Sequence, residues 1–175
     1  GVTKLAYDFV KSTGFPVVVA PMGKSLFPED DPQYLGEYAG HGSFKELMDA
    51  MDKVDLLITL GSFDSDMNTG KFTYRTPMCH TIAIHSRCCV VGYGEFSGIG
   101  FEDVLPALSE QLKGERDQRL SLTKELKSSV EHRVELPDAT FVSQDYLWTR
   151  LSSFLRPDDH IVADMGTCLL YTSDA

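Results

Sequence analysis

The sequence predicts an α/β fold in which a parallel sheet is covered by helices on both faces, a Rossmann-like arrangement. Three short apolar runs, at residues 16–20, 55–61 and 81–85, have the length and composition of buried strands. Segments with apolar residues at helical spacing alternate with these runs. Strands that alternate with helices form right-handed βαβ units, and such units build a parallel sheet.

Length and charge restrict the class of protein. The chain has 175 residues, enough to bury one sizeable core. Its 16 basic and 26 acidic residues give a net charge of −10, which argues against nucleic acids and anionic membranes as partners. Neither a membrane-spanning run nor a signal-peptide pattern is visible. Four cysteines without the spacing of a disulfide framework predict a reduced, cytoplasmic protein.

The first helix is expected at residues 3–13, and Gly14 supplies its stop signal. Its apolar stripe consists of Leu5, Ala6, Phe9 and Val10. The strand at residues 16–20 follows and is closed by Pro21. After a long loop, Ser43 is expected to cap a helix at residues 44–51, with Glu46 completing a capping box.

A G-K-S run at residues 23–25 raises the possibility of a phosphate-binding loop. That motif requires a glycine where this chain has Val18, and it requires a helix that begins at the Lys-Ser. Pro28 and Pro32 forbid a helix there, and the surrounding acidic side chains repel phosphate. The segment is therefore interpreted as a proline-pinned loop that leaves the sheet.

The strand at residues 55–61 is expected to end at its glycine, and residues 88–92 form a further, shorter strand after the one at 81–85. Residues 101–112 are predicted to be a helix. Its apolar side chains are Val104, Leu105, Leu108 and Leu112. Residues 113–140 are rich in mixed charge and poor in large apolar groups, which predicts a linker that can contain a transient helix.

Beyond the linker, Ser143 is expected to cap a helix at residues 144–155. The side chains expected to face inward are Tyr146, Leu147, Leu151 and Phe154. A strand at residues 160–163 then leads into the turn that contains Gly166 and Thr167. Backbone amides and a hydroxyl at the carboxyl end of a strand suit a phosphate group, although such turns are also common without a ligand.

Two sequence blocks carry a family resemblance. The first is P-M-G-K, an acidic-proline turn and Y-x-G-x-Y-x-G, which ends at Gly40. The second is S-D-M-N-T-G-K-F-T-Y at residues 65–74. Together they resemble the central domain of thiamine-diphosphate-dependent 2-oxo-acid decarboxylases of the fungal pyruvate decarboxylase type, in which the second block reads S-D-F-N-T-G-x-F-x-Y.

This resemblance implies a function and a domain organisation. Residues 1–112 correspond to the Rossmann-like central domain, 113–140 to a linker, and 141–167 to the first elements of the diphosphate-binding domain. The family decarboxylates a small 2-oxo acid to an aldehyde and carbon dioxide with thiamine diphosphate and Mg²⁺, and it assembles as homodimers or tetramers. No nucleic acid or membrane takes part.

The resemblance assigns two cofactor-binding residues, Gly166 and Thr167, which match the family's E-T-G-T turn. Asp164 and Met165 depart from that pattern, and Met165 removes one polar contact. The family's activating glutamate motif and its G-D-G metal segment do not occur in these residues, so no catalytic residue and no metal ligand are assigned. We therefore expect the 175 residues alone to be inactive and to bind thiamine diphosphate weakly. The tail at residues 168–175 resembles a translated sequencing adapter and is hypothesised to be foreign.

Three other groups of residues have a possible chemical role. His80, His85, Cys88 and Cys89 suggest a metal site, but neighbouring strand residues point to opposite faces and cannot share one tetrahedral centre. Residues 92–97 approach a dinucleotide fingerprint, with serine in place of its last glycine. A self-standing nucleotide-binding or regulatory module built on the same kind of sheet is the alternative function.

The third group is formed by Asp66, Asn68 and Thr69, which follow a predicted strand. Their side chains suit either a ligand or the capping of backbone groups within a turn, and the second role is favoured because it is the commonest one for these residues in loops. His41 lies between glycines without a visible acid or nucleophile partner, so we assign it no catalytic part.

Overall fold

The computed structural model describes residues 2–74, 80–130 and 141–162. The chain divides into two compact units, Gly1–Glu131 and His132–Ala175. Within the described ranges, every helix falls short of the length and apolarity that crossing a lipid bilayer requires.

The first unit contains six strands and four α-helices among its described residues. The strands are β1 Val17–Val19, β2 Tyr34–Glu37, β3 Leu57–Leu60, β4 Thr81–Ile84, β5 Cys88–Val91 and β6 Gly94–Ser97. The helices are α1 Val2–Thr13, α2 Lys45–Met51, α3 Phe101–Leu112 and α4 Arg116–Val130. Short 3₁₀ turns occupy Pro21–Gly23, Gly40–Gly42 and Lys113–Glu115.

The strands form one two-stranded and one four-stranded sheet. β1 pairs in parallel with β2, and β3 pairs in parallel with β4. The order of the larger sheet is β3-β4-β5-β6, and its β4-β5 and β5-β6 pairs are antiparallel. The predicted α/β class is confirmed, but the expected uniformly parallel sheet is wrong for β5 and β6. Only short connections precede these two strands, and a parallel crossover needs about a dozen residues or more.

β2 lies within the segment that was interpreted as a loop. Its pairing with β1 is extended at both ends, since the Val17 amide donates to the Gln33 carbonyl at 2.8 Å and the Tyr38 amide donates to the Val19 carbonyl at 2.8 Å. Gly36 in its middle has φ 140°, a conformation that glycine adopts readily. Glycine is rare in strands, so the sequence around Gly36 did not indicate the strand β2.

The main core joins α1, α3 and the larger sheet. Its buried members are Phe9, Ile84, Cys89, Phe101 and Leu105. The predicted faces of α1 and α3 pack against this cluster, which confirms both helices. A second cluster, formed by Val19, Phe27 and Tyr34, lies at the smaller sheet. Burial of these side chains provides the main driving force for folding of the unit.

The predicted cap of α2 is wrong. The helix begins at Lys45 with Phe44 as its N-cap residue, and no side chain caps it. The Ser43 hydroxyl oxygen instead accepts a hydrogen bond from the Ala39 amide at 2.7 Å. The Ser43 hydroxyl therefore stabilises the preceding Gly-His-Gly turn and does not cap α2.

Part of the predicted linker is the helix α4, which packs against α1, α2 and β2. Arg116 Nε donates to the Lys11 carbonyl at 2.7 Å, and Arg119 Nε donates to the Thr13 carbonyl at 2.7 Å. Thr123 Oγ1 donates to the Gly14 carbonyl at 3.0 Å. α4 thus satisfies the free carbonyl groups at the end of α1. The polar side chains of α4 make these hydrogen bonds. The same polar composition is the reason that a linker was predicted here.

The second unit is described over residues 141–162. Its helix α5, Gln144–Phe154, is capped by Ser143, whose hydroxyl accepts from the Tyr146 amide at 3.2 Å, as predicted. Leu147 and Phe154 are exposed, so their predicted inward orientation is wrong. Residues 160–162 form no strand, because no described residue pairs with them. Gly166, Thr167 and the tail at 168–175 lie outside the described residues.

Candidate functional site

The carboxyl ends of β1 and β3 are the place where an α/β fold of this kind usually carries its functional loops. The loop after β1 contains the P-M-G-K block, and the loop after β3 contains the S-D-M-N-T-G block. The structure brings these two blocks together, although they are more than forty residues apart in the sequence.

Asn68 joins the two loops. Its Oδ1 accepts a hydrogen bond from the Met22 amide at 3.0 Å, and its Nδ2 donates to the Phe63 carbonyl at 2.8 Å. Its own amide donates to Ser65 Oγ at 3.2 Å. Both ends of the side-chain amide are thus engaged with backbone groups. The structural role that the sequence favoured is confirmed for this residue.

Thr69 is 2% exposed and holds the second loop in shape. Its hydroxyl donates to the Ser65 carbonyl at 2.6 Å and accepts from the Phe72 amide at 2.9 Å. Asp66 Oδ1 accepts from the neighbouring Met67 amide at 2.9 Å, a local contact within the loop. The side chains of this cluster therefore stabilise the conformation of the loop through hydrogen bonds to its backbone.

A third loop, after β2, contacts the second one backbone to backbone. A Cβ atom at Gly70 would lie 1.9 Å from the Ala39 carbonyl oxygen, and one at Gly40 would lie 2.5 Å from Thr73 Oγ1. Both glycines have left-handed φ angles, 54° and 56°. Thr73 Oγ1 also accepts from the His41 amide at 2.9 Å. His41 enters this contact through its backbone.

Three successive residues, Gly70, Lys71 and Phe72, have φ angles of 54°, 61° and 59°. This left-handed turn costs about 1–2 kcal/mol for each residue other than glycine. Phe72 is 67% exposed, so burial of its ring recovers little of that cost. Sequence reasoning missed this feature, because neither lysine nor phenylalanine indicates a left-handed conformation.

Tyr38 and Tyr74, one from each block, meet edge to face with ring centroids 6.4 Å apart. Burial raises the pKa of the Tyr74 hydroxyl, and the charge of Asp64 and a hydrogen bond to its carboxylate raise it further. A phenol in this state stays protonated and serves as a hydrogen-bond donor. The contact between the two rings thus helps to hold the loop after β2 against the loop after β3.

Lys24, the cation of the G-K-S run, lies 3.3 Å from Glu29 Oε1 and 3.9 Å from Glu37 Oε2. Glu37 is 9% exposed, and the ammonium group offsets part of the cost of burying its carboxylate. The glycine ends a 3₁₀ turn, and no α-helix begins there. The run is therefore not a phosphate-binding loop.

The near-fingerprint at residues 92–97 is a hairpin. Val91 pairs with Gly94, and Gly92 has φ 59° at the first position of the two-residue turn, as in a type II′ turn. The next helix begins only at Phe101. A dinucleotide motif needs a helix N-terminus directly after its glycines, so this hairpin is not such a motif.

The suggested metal site also finds no support in the geometry. Cys89 is buried, and burial, followed by the proximity of Cys88, raises the pKa of its thiol. A raised thiol pKa disfavours the thiolate that binds metals. In the part of the chain that the structure describes, no three His, Cys, Asp or Glu side chains lie together as metal ligands.

The two motif loops do not fit the diphosphate of a thiamine cofactor. The amides and hydroxyls of the motif loops are engaged with one another, and Lys24 is bound by carboxylates. Gly166 and Thr167, which the resemblance assigned to the diphosphate, lie outside the described residues. We assign no step of a reaction to the loops.

Comparison with known proteins agrees with the motif assignment. The family model described as "Thiamine pyrophosphate enzyme, central domain" matches residues 1–89. Pyruvate decarboxylase of Candida albicans is 30% identical over 158 residues, which cover 90% of this chain and 28% of that protein. Pyruvate decarboxylase isozyme 2 of Saccharomyces cerevisiae is 31% identical over 163 residues, which cover 89% of this chain and 27% of that protein. The chain therefore spans little more than a quarter of these relatives.

Proposed function

The chain belongs to the family of thiamine pyrophosphate enzymes, whose central domain it contains, and on that premise we propose that its parent is a pyruvate decarboxylase-like enzyme. The parent is a carboxy-lyase that converts a small 2-oxo acid to an aldehyde and carbon dioxide. The observation that carries this proposal is the similarity to fungal pyruvate decarboxylases over nine tenths of the chain.

Thiamine diphosphate, when bound, supplies the carbanion and the electron sink for this reaction. We propose that the parent also requires Mg²⁺, which would be held by protein oxygen ligands. Within this chain, Gly166 and Thr167 are the proposed diphosphate contacts, in a second domain that begins near residue 141. No catalytic residue is assigned to the chain.

The proposed role of the first unit is structural. It positions the neighbouring domains of the parent, which forms a homodimer or tetramer in the cytoplasm. Two observations support this role: the polar groups of the S-D-M-N-T-G loop are engaged in hydrogen bonds within the loops, and α4 is packed onto the unit through Arg116, Arg119 and Thr123. We therefore extend the proposed central domain from residue 112 to Val130.

The experiment compares the parent, expressed from its full reading frame, with the 175-residue chain. Each protein is supplied with thiamine diphosphate, Mg²⁺ and pyruvate, and aldehyde and carbon dioxide are measured. We expect turnover by the parent alone. Calorimetric titration of the chain with the cofactor and Mg²⁺ is expected to show no micromolar binding.

Other 2-oxo acids with larger side chains serve as parallel substrates. A parent that decarboxylates none of them contradicts the proposed activity. Micromolar binding of thiamine diphosphate by the 175-residue chain contradicts the structural role. The two parts of the proposal are thus tested separately.

A further inference from the structure

The strand β6 is an open edge of the larger sheet. It is the last strand in the order β3-β4-β5-β6, and all of its residues, Gly94–Ser97, are exposed. An edge strand presents unpaired backbone amides and carbonyls, which a further extended strand can bind. Natural sheets usually protect such an edge with proline, lysine or a bulge. β6 contains neither proline nor lysine, and its register with β5 is continuous.

The hydrogen bonds between β5 and β6 show which backbone groups of β6 point outwards. The Gly98 amide donates to the Arg87 carbonyl at 2.8 Å, just beyond the paired residues of the two strands. Hydrogen-bonded and non-bonded pairs alternate along an antiparallel ladder, so the next bonded pair is Cys89 with Phe96. The residues of β6 on either side of Phe96 therefore direct their amides and carbonyls away from β5, to the open edge.

These outward-directed residues are Glu95 and Ser97. Within the described residues, no backbone group bonds to their amides or carbonyls. Their side chains share one face of the sheet, where Ser97 Oγ lies 3.2 Å from Glu95 Oε1. Phe96 lies on the opposite face, the one that carries the buried Cys89, and it is 51% exposed. β6 thus offers a hydrogen-bonding edge with one aromatic side chain beside it.

This edge is complementary to itself. Two antiparallel copies of β6 that are related by a twofold axis at Phe96 place Glu95 of each copy opposite Ser97 of the other. Both of these pairs are of the hydrogen-bonded kind, because their backbone groups point outwards in each copy. The two Phe96 rings lie directly opposite each other on one face, and each Glu95 carboxylate meets a serine hydroxyl on the other face.

Charge and packing select this register over its neighbours. An axis at Glu95 would place the two Glu95 carboxylates opposite each other, and like charges across a strand pair are unfavourable. An axis at Ser97 would place Phe96 opposite Gly98 and would remove the contact between the rings. The register centred on Phe96 avoids both losses.

We infer that β6 is the edge through which two copies of this chain associate, so that one sheet continues from one copy into the other. The inference rests on the proposed function, because that proposal assembles the parent from identical copies, and it names the contact between them. A contact of one short strand is small compared with a standard interface, so the association of the 175-residue chain is expected to be weak and reversible.

Substitutions at Ser97 test the inference through the dissociation constant of the chain, measured by sedimentation at concentrations up to about 1 mM. Ser97→Lys is expected to tighten association about tenfold, because each ammonium group meets Glu95 of the other copy. Ser97→Glu is expected to weaken it about tenfold, because carboxylates then meet. Combining Ser97→Glu with Glu95→Lys should restore the wild-type value, since the opposite charges are paired again.

Ser128→Lys and Ser128→Glu are the matched controls. Ser128 is exposed on α4, so these variants carry the same changes of net charge and should leave the dissociation constant unchanged. A chain that remains monomeric at every concentration overturns the inference. Equal effects at Ser97 and Ser128 also overturn it, because net charge alone would then explain them.

Amide hydrogen exchange locates the contact in the chain and in the full-length parent. Exchange at Glu95 and Ser97 should slow about tenfold as the chain associates, whereas the Phe96 amide, which is bonded to β5, should change little. Protection of β6 in the parent that the Ser97 substitutions leave unchanged identifies another segment of the polypeptide as the occupant and overturns the inference. Neither readout measures decarboxylation, so a parent without that activity refutes the proposed reaction and leaves this contact to be judged by exchange and sedimentation.

Discussion

The ammonium group of Lys11 lies 2.6 Å from Asp31 Oδ2, across twenty positions of sequence. The Asp31 side chain is 10% exposed, and its Oδ1 accepts from the Gln33 amide at 2.9 Å. Lys127 Nζ donates to the Asp31 carbonyl at 2.8 Å. This one aspartate thus connects α1, the loop before β2 and α4.

The first prediction concerns the pH dependence of stability. Burial raises the pKa of Asp31, but the hydrogen bond from Lys11, the Gln33 amide and the charges of Lys11 and Lys127 together lower it below its ordinary value. A carboxyl whose pKa is lower in the folded state stabilises the fold above its unfolded-state pKa. This contribution is expected to be complete above about pH 4 and to disappear as the pH falls through the folded-state value.

Asp31→Asn keeps the shape and removes the charge, and we expect it to lower the free energy of unfolding at pH 7 by about 2 kcal/mol. Urea denaturation from pH 2 to 7 measures both effects. The difference between wild type and variant should shrink on the acid side. A difference that is constant over this pH range contradicts the assigned role. Asp8→Asn, whose ion pair with Lys4 is exposed, is the control.

The second prediction concerns the contact between Gly70 and Ala39. Gly70→Ala should destabilise the first unit by about 3 kcal/mol, the sum of a left-handed alanine and a steric overlap. Gly98→Ala is the matched control, since Gly98 has φ 82° and a Cβ atom added there would meet nothing within 4 Å. It should cost only about 1 kcal/mol. Equal losses, measured by chemical denaturation, would show that the close approach is unimportant.

The third prediction concerns Asn68 as the tie between the motif loops. Asn68→Ala removes the acceptor for the Met22 amide and the donor to the Phe63 carbonyl, and it should cost about 1–2 kcal/mol. Asn68→Asp keeps the acceptor alone and should lie between wild type and alanine. Amide hydrogen exchange at Met22 is expected to accelerate in the alanine variant and to change less in the aspartate variant. Equal exchange in all three proteins would contradict the tie.

The fourth prediction concerns the integration of α4. The Arg119 guanidinium donates to the Thr13 and Leu112 carbonyls and lies 4.9 Å from the centroid of the Phe15 ring. Arg119→Ala should lower the free energy of unfolding by about 2 kcal/mol. Arg119→Lys should recover only part of this loss, because lysine lacks the planar fork.

Arg150→Ala, at an exposed position of α5, is the control for Arg119 and should change stability by about 0.5 kcal/mol or less. Chemical denaturation of the three variants is measured side by side. If residues 116–130 act as a linker, Arg119→Ala will be as neutral as Arg150→Ala.

Local patterns were sufficient for the elements that bury an apolar stripe. α1 and α3 follow from periodic apolar residues, with Gly14 as the stop of the first, because the burial that stabilises a helix repeats with its own period. The strands around Ile58 and Ile82 were identified from their apolar composition in the same way. The two motif blocks identified the family from residue identities alone.

Only the tertiary structure decided the elements whose partners are distant in sequence. β2 is a strand because β1 lies beside it, and α4 is a packed helix because its arginines reach the last carbonyls of α1. The direction of β5 depends on a short connection to β4. Neither apolar periodicity nor composition records such pairings.

For the candidate site, the sequence by itself determined which residues matter and the fold determined what they do. Asn68 meets Met22 across 46 positions, and Phe72 is held in a left-handed turn that no residue preference indicates. Residue type specifies which hydrogen bonds and contacts are possible. The partner that satisfies each of them is chosen by the packing of the whole unit, since folding selects the arrangement in which buried polar groups are paired and apolar surface is covered.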